Sequence, residues 1–182
     1  APSLIWEEPQ NTSKKEIAAF KHLVSSSGLQ VIALQSLLYG KPELQLFGSF
    51  KTQKNLLDHL KKMTDLCVDL GGRSISFGSP NNRLKGKLSL DKAISIASPL
   101  FRELAEYAKL VNVIVCIEPV STLYKCDFIN NTEECIQLIE TVQHSNFKLL
   151  LDTGTLIYNK EDFNKIIEKH IHLIAHVHIN DP

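Results

Sequence analysis

The sequence lacks features that would indicate a class of function directly, such as excess charge, a membrane-spanning run or a C-x-x-C motif. Its 182 residues carry a formal net charge of zero, which gives no support to nucleic-acid binding or to attraction by a membrane surface. No apolar run is long enough to span a bilayer, and no signal-peptide pattern opens the chain. No C-x-x-C spacing occurs, so we expect a cytoplasmic protein with reduced thiols, which are Cys67, Cys116, Cys126 and Cys135.

Methionine is also scarce. The only one is Met63, and the chain opens on Ala1-Pro2 and stops on or just after an apolar run. We therefore expect the chain to be truncated at both ends. The remaining composition, 43% hydrophobic and 22% charged, is ordinary for a globular protein, and the length predicts a single domain over 1–182.

Strand and helix patterns alternate along the chain. Strands are predicted at 31–35, 74–77, 113–117, 147–151 and 174–179. Helices are predicted at 14–27, 52–70, 90–110, 132–143 and 161–170, with a kink or break at Pro99 and a loop at 152–159. Such alternation requires a parallel sheet with right-handed crossovers, which indicates the α/β class. An incomplete (β/α) barrel is the favoured architecture, and a five-stranded flavodoxin-like sheet is the alternative.

Three predicted strands end in residues that can bind a metal ion. Glu118 closes the run VIVCI, Asp152 closes FKLLL, and His178 lies in LIAHVHI. Carboxyl ends of neighbouring parallel strands lie close together, so these side chains can share one divalent ion, and their donors suit Mn, Co, Mg or Zn. Asp152 can equally be a helix N-cap or turn residue. Of the two histidines in HVH, we expect only His178 to face the site, with His176 in a packing or supporting role.

With these residues, the chain resembles the sugar phosphate isomerase/epimerase proteins of the xylose isomerase-like TIM barrel group. The matching segments are ALQSLLYG at 33–40, FGSPNNR at 77–83, IEPV at 117–120, CDFINNTEE at 126–134, LLLDTGT at 149–155 and HVHINDP at 176–182. The resemblance implies an eight-stranded barrel, of which this chain holds about five parallel strands, the third to the seventh. It also implies that Glu118, Asp152 and His178 bind the metal. A fourth ligand, a glutamate on the eighth strand, would lie beyond Pro182, so we expect the chain as given to be inactive.

The resemblance further implies a divalent-metal-dependent isomerase or epimerase that acts on a sugar or sugar phosphate. Glu118 is then the catalytic carboxylate, which moves a proton while an enediolate forms. The chain departs from the best-known ketose 3-epimerases at Thr155, where they carry a histidine, and after H-x-H, where they carry an arginine. Candidate substrate contacts are Arg83 (for a phosphate or carboxylate), Gln35, Tyr124, Thr155 and His176.

Two other functions remain as alternatives. An endonuclease IV-like nuclease shares the barrel group, but it needs further histidines on earlier strands, where this chain has Gln35-Ser36 and Gly78-Ser79-Pro80. A non-catalytic barrel that binds a small molecule would use the same residues structurally. An incomplete barrel also leaves open sheet edges, so we expect either a homodimer that pairs them or further chain that covers them.

Overall fold

The computed structural model describes residues 1–180, and its centre is a sheet of five parallel strands. The strands are β1 (Ala33–Leu34), β2 (Ser74–Phe77), β3 (Ile114–Ile117), β4 (Phe147–Asp152) and β5 (Ile174–His178). The helices are α1 (Lys14–Ser26), α2 (Phe50–Leu70), α3 (Leu90–Leu110), α4 (Thr132–Val142), α5 (Thr153–Asn159) and α6 (Phe163–His170). In this described part, none of the helices is long and apolar enough to cross a membrane.

The order of the strands decides between the two predicted architectures. Each strand pairs in parallel with the next one along the chain, in the order β1-β2-β3-β4-β5. A flavodoxin-like sheet has its first strand between the second and the third. The sequential order excludes that sheet. It confirms the partial (β/α) barrel, a half-barrel with helices around it.

Aromatic packing fixes the interior of the sheet. Phe101 of α3 lies between Phe77 of β2 and Phe147 of β4, with ring centroids 5.0 and 5.1 Å away. All three rings are fully buried. Burying one such side chain contributes about 1.5–3 kcal/mol. Strands β3 and β4 carry apolar residues on both faces, which is why their sequences show no regular alternation, whereas β2 alternates serine with an apolar residue.

Polar side chains cap the N-termini of the four longest helices. Each capping oxygen accepts the backbone N–H of the residue three positions later, which satisfies one otherwise unpaired donor. Glu16 completes a capping box at α1. The four caps are Ser13, Ser49, Ser89 and Asn131.

The structure differs from the sequence predictions in three elements. Strand β1 has only two residues, because it pairs with β2 alone and Ile32 before it is exposed. Pro99 does not break α3, which runs as one helix from Leu90 to Leu110. The predicted loop at 152–159 is instead α5, whose first turn is capped by Asp152.

Strand β5 is the poorly covered edge of this sheet. Its residues alternate between half-buried and exposed, whereas five of the six residues of β4 are buried. Helix α6 beside it contributes no buried residue. The edge is thus open in the described part of the chain, and the homodimer that would cover it stays a prediction.

Candidate metal centre

The three predicted ligands lie together at the carboxyl ends of three neighbouring strands. Asp152 and His178 are the last residues of β4 and β5 and are direct partners in the sheet register. Glu118 follows β3 at once, and its N–H donates to the carbonyl of Phe77 at 3.2 Å, which extends the β2–β3 pairing by one step. The sheet therefore presents all three side chains at one rim.

Their donor atoms are close enough to serve one ion. The Nδ1 atom of His178 lies 3.2 Å from Oε1 of Glu118 and 4.0 Å from Oδ2 of Asp152. One donor atom from each of the three residues lies within 4.8 Å of the others. Two carboxylates and an imidazole suit Zn²⁺ or Mn²⁺, with ligand bonds of about 2.0–2.2 Å that require only a small inward movement. The residues present therefore fit a divalent metal.

A glycine on the neighbouring strand provides the space for Glu118. A Cβ atom at Gly78, the residue after β2, would stand 2.2 Å from Oε2 of Glu118. No side-chain atom can occupy that position without displacing the carboxylate. Gly78 therefore shapes the site although it offers no ligand atom, and only the folded chain brings these two residues together.

Asp152 caps a helix with one oxygen and leaves the other for the candidate site. Its Oδ1 accepts the N–H of Thr155 at 2.7 Å and so caps α5. Its Oδ2 accepts from the side-chain amide of Asn180 at 3.2 Å and points towards His178. The cap and the candidate ligand are thus different oxygens of one carboxylate.

The two carboxylates favour a positive charge on His178. The hydrogen bond to Glu118 raises the pKa of His178 above its ordinary value, partial burial opposes the shift, and the charges of Glu118 and Asp152 add to it. Burial, helped by the charge of His178, lowers the pKa of His176. A site that attracts a proton in this way also attracts a metal cation, so the two compete.

Both histidines of HVH lie on the same face of β5, and of the two only His178 belongs to the candidate ligand set. Residues two apart on a strand share a face, because side chains alternate with a period of two. The rings of His176 and His178 accordingly meet edge to face, with centroids 5.2 Å apart. His176 supports the ring of His178, and it does not line the cavity above the site.

Arg83 lies elsewhere than the sequence prediction placed it. Its side chain is fully buried, with Nε 3.2 Å from the sulfur of Cys126 and Nη2 donating to the carbonyl of Glu118 at 2.9 Å. It is also absent from the cavity wall. Arg83 therefore anchors the loop after β3 from within the protein and is not available to a substrate phosphate.

A cavity of about 580 Å³ opens beside two of the candidate ligands, Glu118 and Asp152. Three predicted substrate contacts, Gln35, Tyr124 and Thr155, line it, together with Glu118 and Asp152. Other lining residues were not predicted as substrate contacts, although some of them lie inside the segments that carry the resemblance. They include Tyr39, Lys41, Asn81, Tyr158 and Asn180.

Comparison with known proteins places this geometry in a family. A family model described as a xylose isomerase-like TIM barrel matches residues 3–182. Inosose dehydratase from Geobacillus thermodenitrificans (strain NG80-2) is 23% identical over 184 residues, which cover 96% of this chain and 58% of the relative. This chain therefore spans less than two thirds of that relative's length.

Solved structures share the fold at low identity. D-psicose 3-epimerase from Clostridium cellulolyticum H10 with D-tagatose has a TM-score of 0.78 at 15% identity, over 96% of this chain and 60% of that one. An AP endonuclease of family 2 from Brucella melitensis has a TM-score of 0.77 at 17% identity, over 90% and 63%. The IolI protein with a bound zinc atom has a TM-score of 0.69 at 17% identity, over 96% and 59%. Because the family model spans nearly every residue and the half-barrel agrees with it, this chain belongs to the xylose isomerase-like TIM barrel family.

Proposed function

We propose that this protein is a divalent-metal-dependent isomerase or epimerase that moves a proton on the carbon next to a sugar carbonyl. One observation carries the proposal. Glu118, Asp152 and His178 offer donor atoms within 4.8 Å of one another, and the two carboxylates line a cavity of about 580 Å³. The named epimerase and the zinc-bound neighbour support the reaction class and the cofactor respectively.

The three residues would hold the ion, and Glu118 would also do the chemistry. A divalent cation supplies positive charge that stabilises an enediolate as it forms. Glu118 lies at the cavity wall with a carboxylate that is mostly buried, 18% exposed. A carboxylate in that place can remove a proton from the substrate carbon and return it. Asp152 caps α5 with its other oxygen and therefore holds its place during the reaction.

The cavity wall favours an unphosphorylated sugar. Among the described residues that line the cavity, Lys41 is the one with a positive charge. Its Nζ already lies 3.2 Å from Oε1 of Glu8. Arg83 directly follows the lining residue Asn82 in the sequence, but its side chain is fully buried. Amides and hydroxyls such as Gln35 and Tyr124 instead suit sugar hydroxyl groups.

Proton exchange in D₂O tests the proposal directly. The intact protein, loaded with Mn²⁺, is incubated with a free ketohexose, and loss of the proton next to the carbonyl is followed by NMR. We expect exchange that disappears on metal removal and falls at least about 100-fold in Glu118→Gln, the usual scale for a general base. Glu140→Gln, a change at an exposed glutamate of α4, is the matched control. A Glu118→Gln protein that exchanges at the rate of the control would refute the proposal.

Dehydration is the second candidate, because the curated relative that spans 96% of this chain is an inosose dehydratase. Both reactions begin with removal of a proton beside a carbonyl, so the same Glu118 serves either. The products separate them. Loss of one water from an inosose, seen by mass spectrometry, favours dehydration, and a change of configuration without loss of mass favours epimerisation.

The nuclease and the non-catalytic binder are weaker candidates. The AP endonuclease is as similar in fold as the epimerase, but this chain has no net positive charge to attract DNA. Nicking of DNA by the metal-loaded protein would favour the nuclease. Sugar binding that persists unchanged without metal would favour the binder.

A further inference from the structure

Asn180 joins the end of β5 to the first turn of α5. Its side-chain oxygen accepts the N–H of Gly154 at 2.8 Å, and its side-chain amide donates to Oδ2 of Asp152 at 3.2 Å. Its main chain bonds twice to Oγ1 of Thr153, as donor and as acceptor, both at 2.9 Å. Four hydrogen bonds therefore connect one residue to the segment that begins with Asp152.

These contacts leave the carboxylate of Asp152 one orientation. Oδ1 is held by the N–H of Thr155, and Oδ2 is held by the amide of Asn180. A carboxylate oxygen accepts more than one partner, so Oδ2 keeps a lone pair for the cation. It is also the oxygen that lies towards His178, at 4.0 Å from Nδ1. Without the Asn180 amide, only the cap would restrain rotation of the carboxylate.

Gly154 is a glycine because Asn180 approaches it so closely. A Cβ atom there would stand 2.6 Å from Oδ1 of Asn180 and 3.4 Å from Oδ1 of Asp152. Gly154 lies in the first turn of α5, where an alanine is otherwise the better helix former by about 1 kcal/mol. The absence of a side chain at Gly154 thus makes room for Asn180, but it lowers the stability of helix α5.

We propose that Asn180 is a positioning residue, which turns Oδ2 of Asp152 towards the metal and couples the strand end that carries His178 to the one that carries Asp152. Gly154 belongs to the same device, because it allows the contact. The inference rests on the metal site of the proposed function. It assigns a role to two residues that themselves offer no ligand to the ion.

Cobalt titration of the intact protein tests this role without any assay of activity. Binding of Co²⁺ is followed by calorimetry and by its visible absorption, which reports the coordination geometry. We expect Asn180→Ala to weaken Co²⁺ binding about 10–100-fold, as loss of such supporting partners does, and to change the absorption bands. The matched control is Asn159→Ala at the other end of α5, where the amide donates to the carbonyl of Asn130 and to Glu161. The control should bind Co²⁺ within about twofold of the unchanged protein, with the same bands.

A second variant keeps the test decisive if Asn180→Ala fails to fold. Gly154→Ala should retain or raise the thermal midpoint and still weaken Co²⁺ binding, because it displaces Asn180 while favouring the helix. Unchanged Co²⁺ affinity and absorption in both folded variants would overturn the role of Asn180 alone. Failure of the unchanged protein to bind Co²⁺, Mn²⁺ or Zn²⁺ would overturn the metal site, and this inference with it.

Discussion

The candidate ligands come from two parts of the sheet that are held very differently. Glu118 and Asp152 stand at the ends of β3 and β4, whose residues are almost all buried and which pack on α3. His178 ends β5, where neighbouring residues such as Val177 are exposed and the adjoining helix buries nothing. The carboxylates are therefore placed by the core, whereas the histidine depends on its contacts with Glu118, Asp152 and His176. The candidate site therefore has a rigid half, the two carboxylates at the ends of β3 and β4, and a loosely held half, the histidine at the end of β5.

Replacing Phe101 with alanine tests the rigid half and should have the largest effect. The ring lies between Phe77 and Phe147 and is fully buried. Its removal leaves a cavity between α3 and the interior strands, so the free energy of unfolding should fall by about 3–5 kcal/mol. Urea denaturation measures the loss. Phe50→Ala, at a phenylalanine that is 84% exposed, should cost less than about 0.5 kcal/mol. Equal losses in the two variants would contradict a core centred on Phe101.

Gly78→Ala tests whether that core really fixes the place of Glu118. The added Cβ would lie 2.2 Å from Oε2 of Glu118. Because the core holds the strand ends, the carboxylate itself would have to move. We expect Mn²⁺ affinity to fall about 10–100-fold, the scale seen when the surroundings of a ligand are disturbed. Calorimetric titration measures the affinity, and the thermal midpoint of the metal-free protein shows whether the fold is kept. An unchanged affinity would show that Glu118 is as mobile as the β5 edge.

The division between core and edge also explains how far the sequence could predict this site. Mostly apolar runs that end in Glu118 and Asp152 identified two candidate ligands, because buried parallel strands have that composition and a fixed polar end. The short helix α5 was missed, since Gly154 and two threonines in its first turn have low helix propensity and the Asp152 cap offsets this only in the folded chain.

Local sequence patterns could not predict contacts between segments that are distant in the sequence. The space at Gly78, the bonds of Asn180 and the burial of Arg83 all arise where separate strand ends meet. Arg83 shows the problem most clearly. It follows a Gly-Ser-Pro turn, which is typical of an exposed loop, yet its guanidinium bonds to the carbonyl of Glu118 inside the protein. A turn signal describes the backbone and not the direction of a long side chain.

Hydrogen exchange compares the two halves of the sheet without any mutation. Amides of β3 and β4 lie between two neighbouring strands, whereas β5 is paired on one side only in the described chain. We expect amides of β5 to exchange at least about tenfold faster than those of β3, because edge strands open locally at lower free energy. Added Mn²⁺ should slow β5 more than β3, since the ion would connect His178 to the core. Uniform protection across the sheet would mean that the edge is covered, for example by a second copy of the protein.

The smallest expected effect concerns the opposite edge, where His59 of α2 bonds to the carbonyl of Leu37 at 2.9 Å, in the loop after β1. Burial lowers the pKa of His59 below its ordinary value, and the hydrogen bond to Leu37 opposes this only in part. The folded protein then binds a proton less readily than the unfolded chain, so stability is lost as the pH falls below about 6.5, the value of an unperturbed histidine. Urea denaturation at pH 7.5 and pH 5.5 should show a smaller loss in His59→Gln than in the unchanged protein. If both lose the same stability, folding does not lower the pKa of His59, and the β1 edge buries this ring less than the structure indicates.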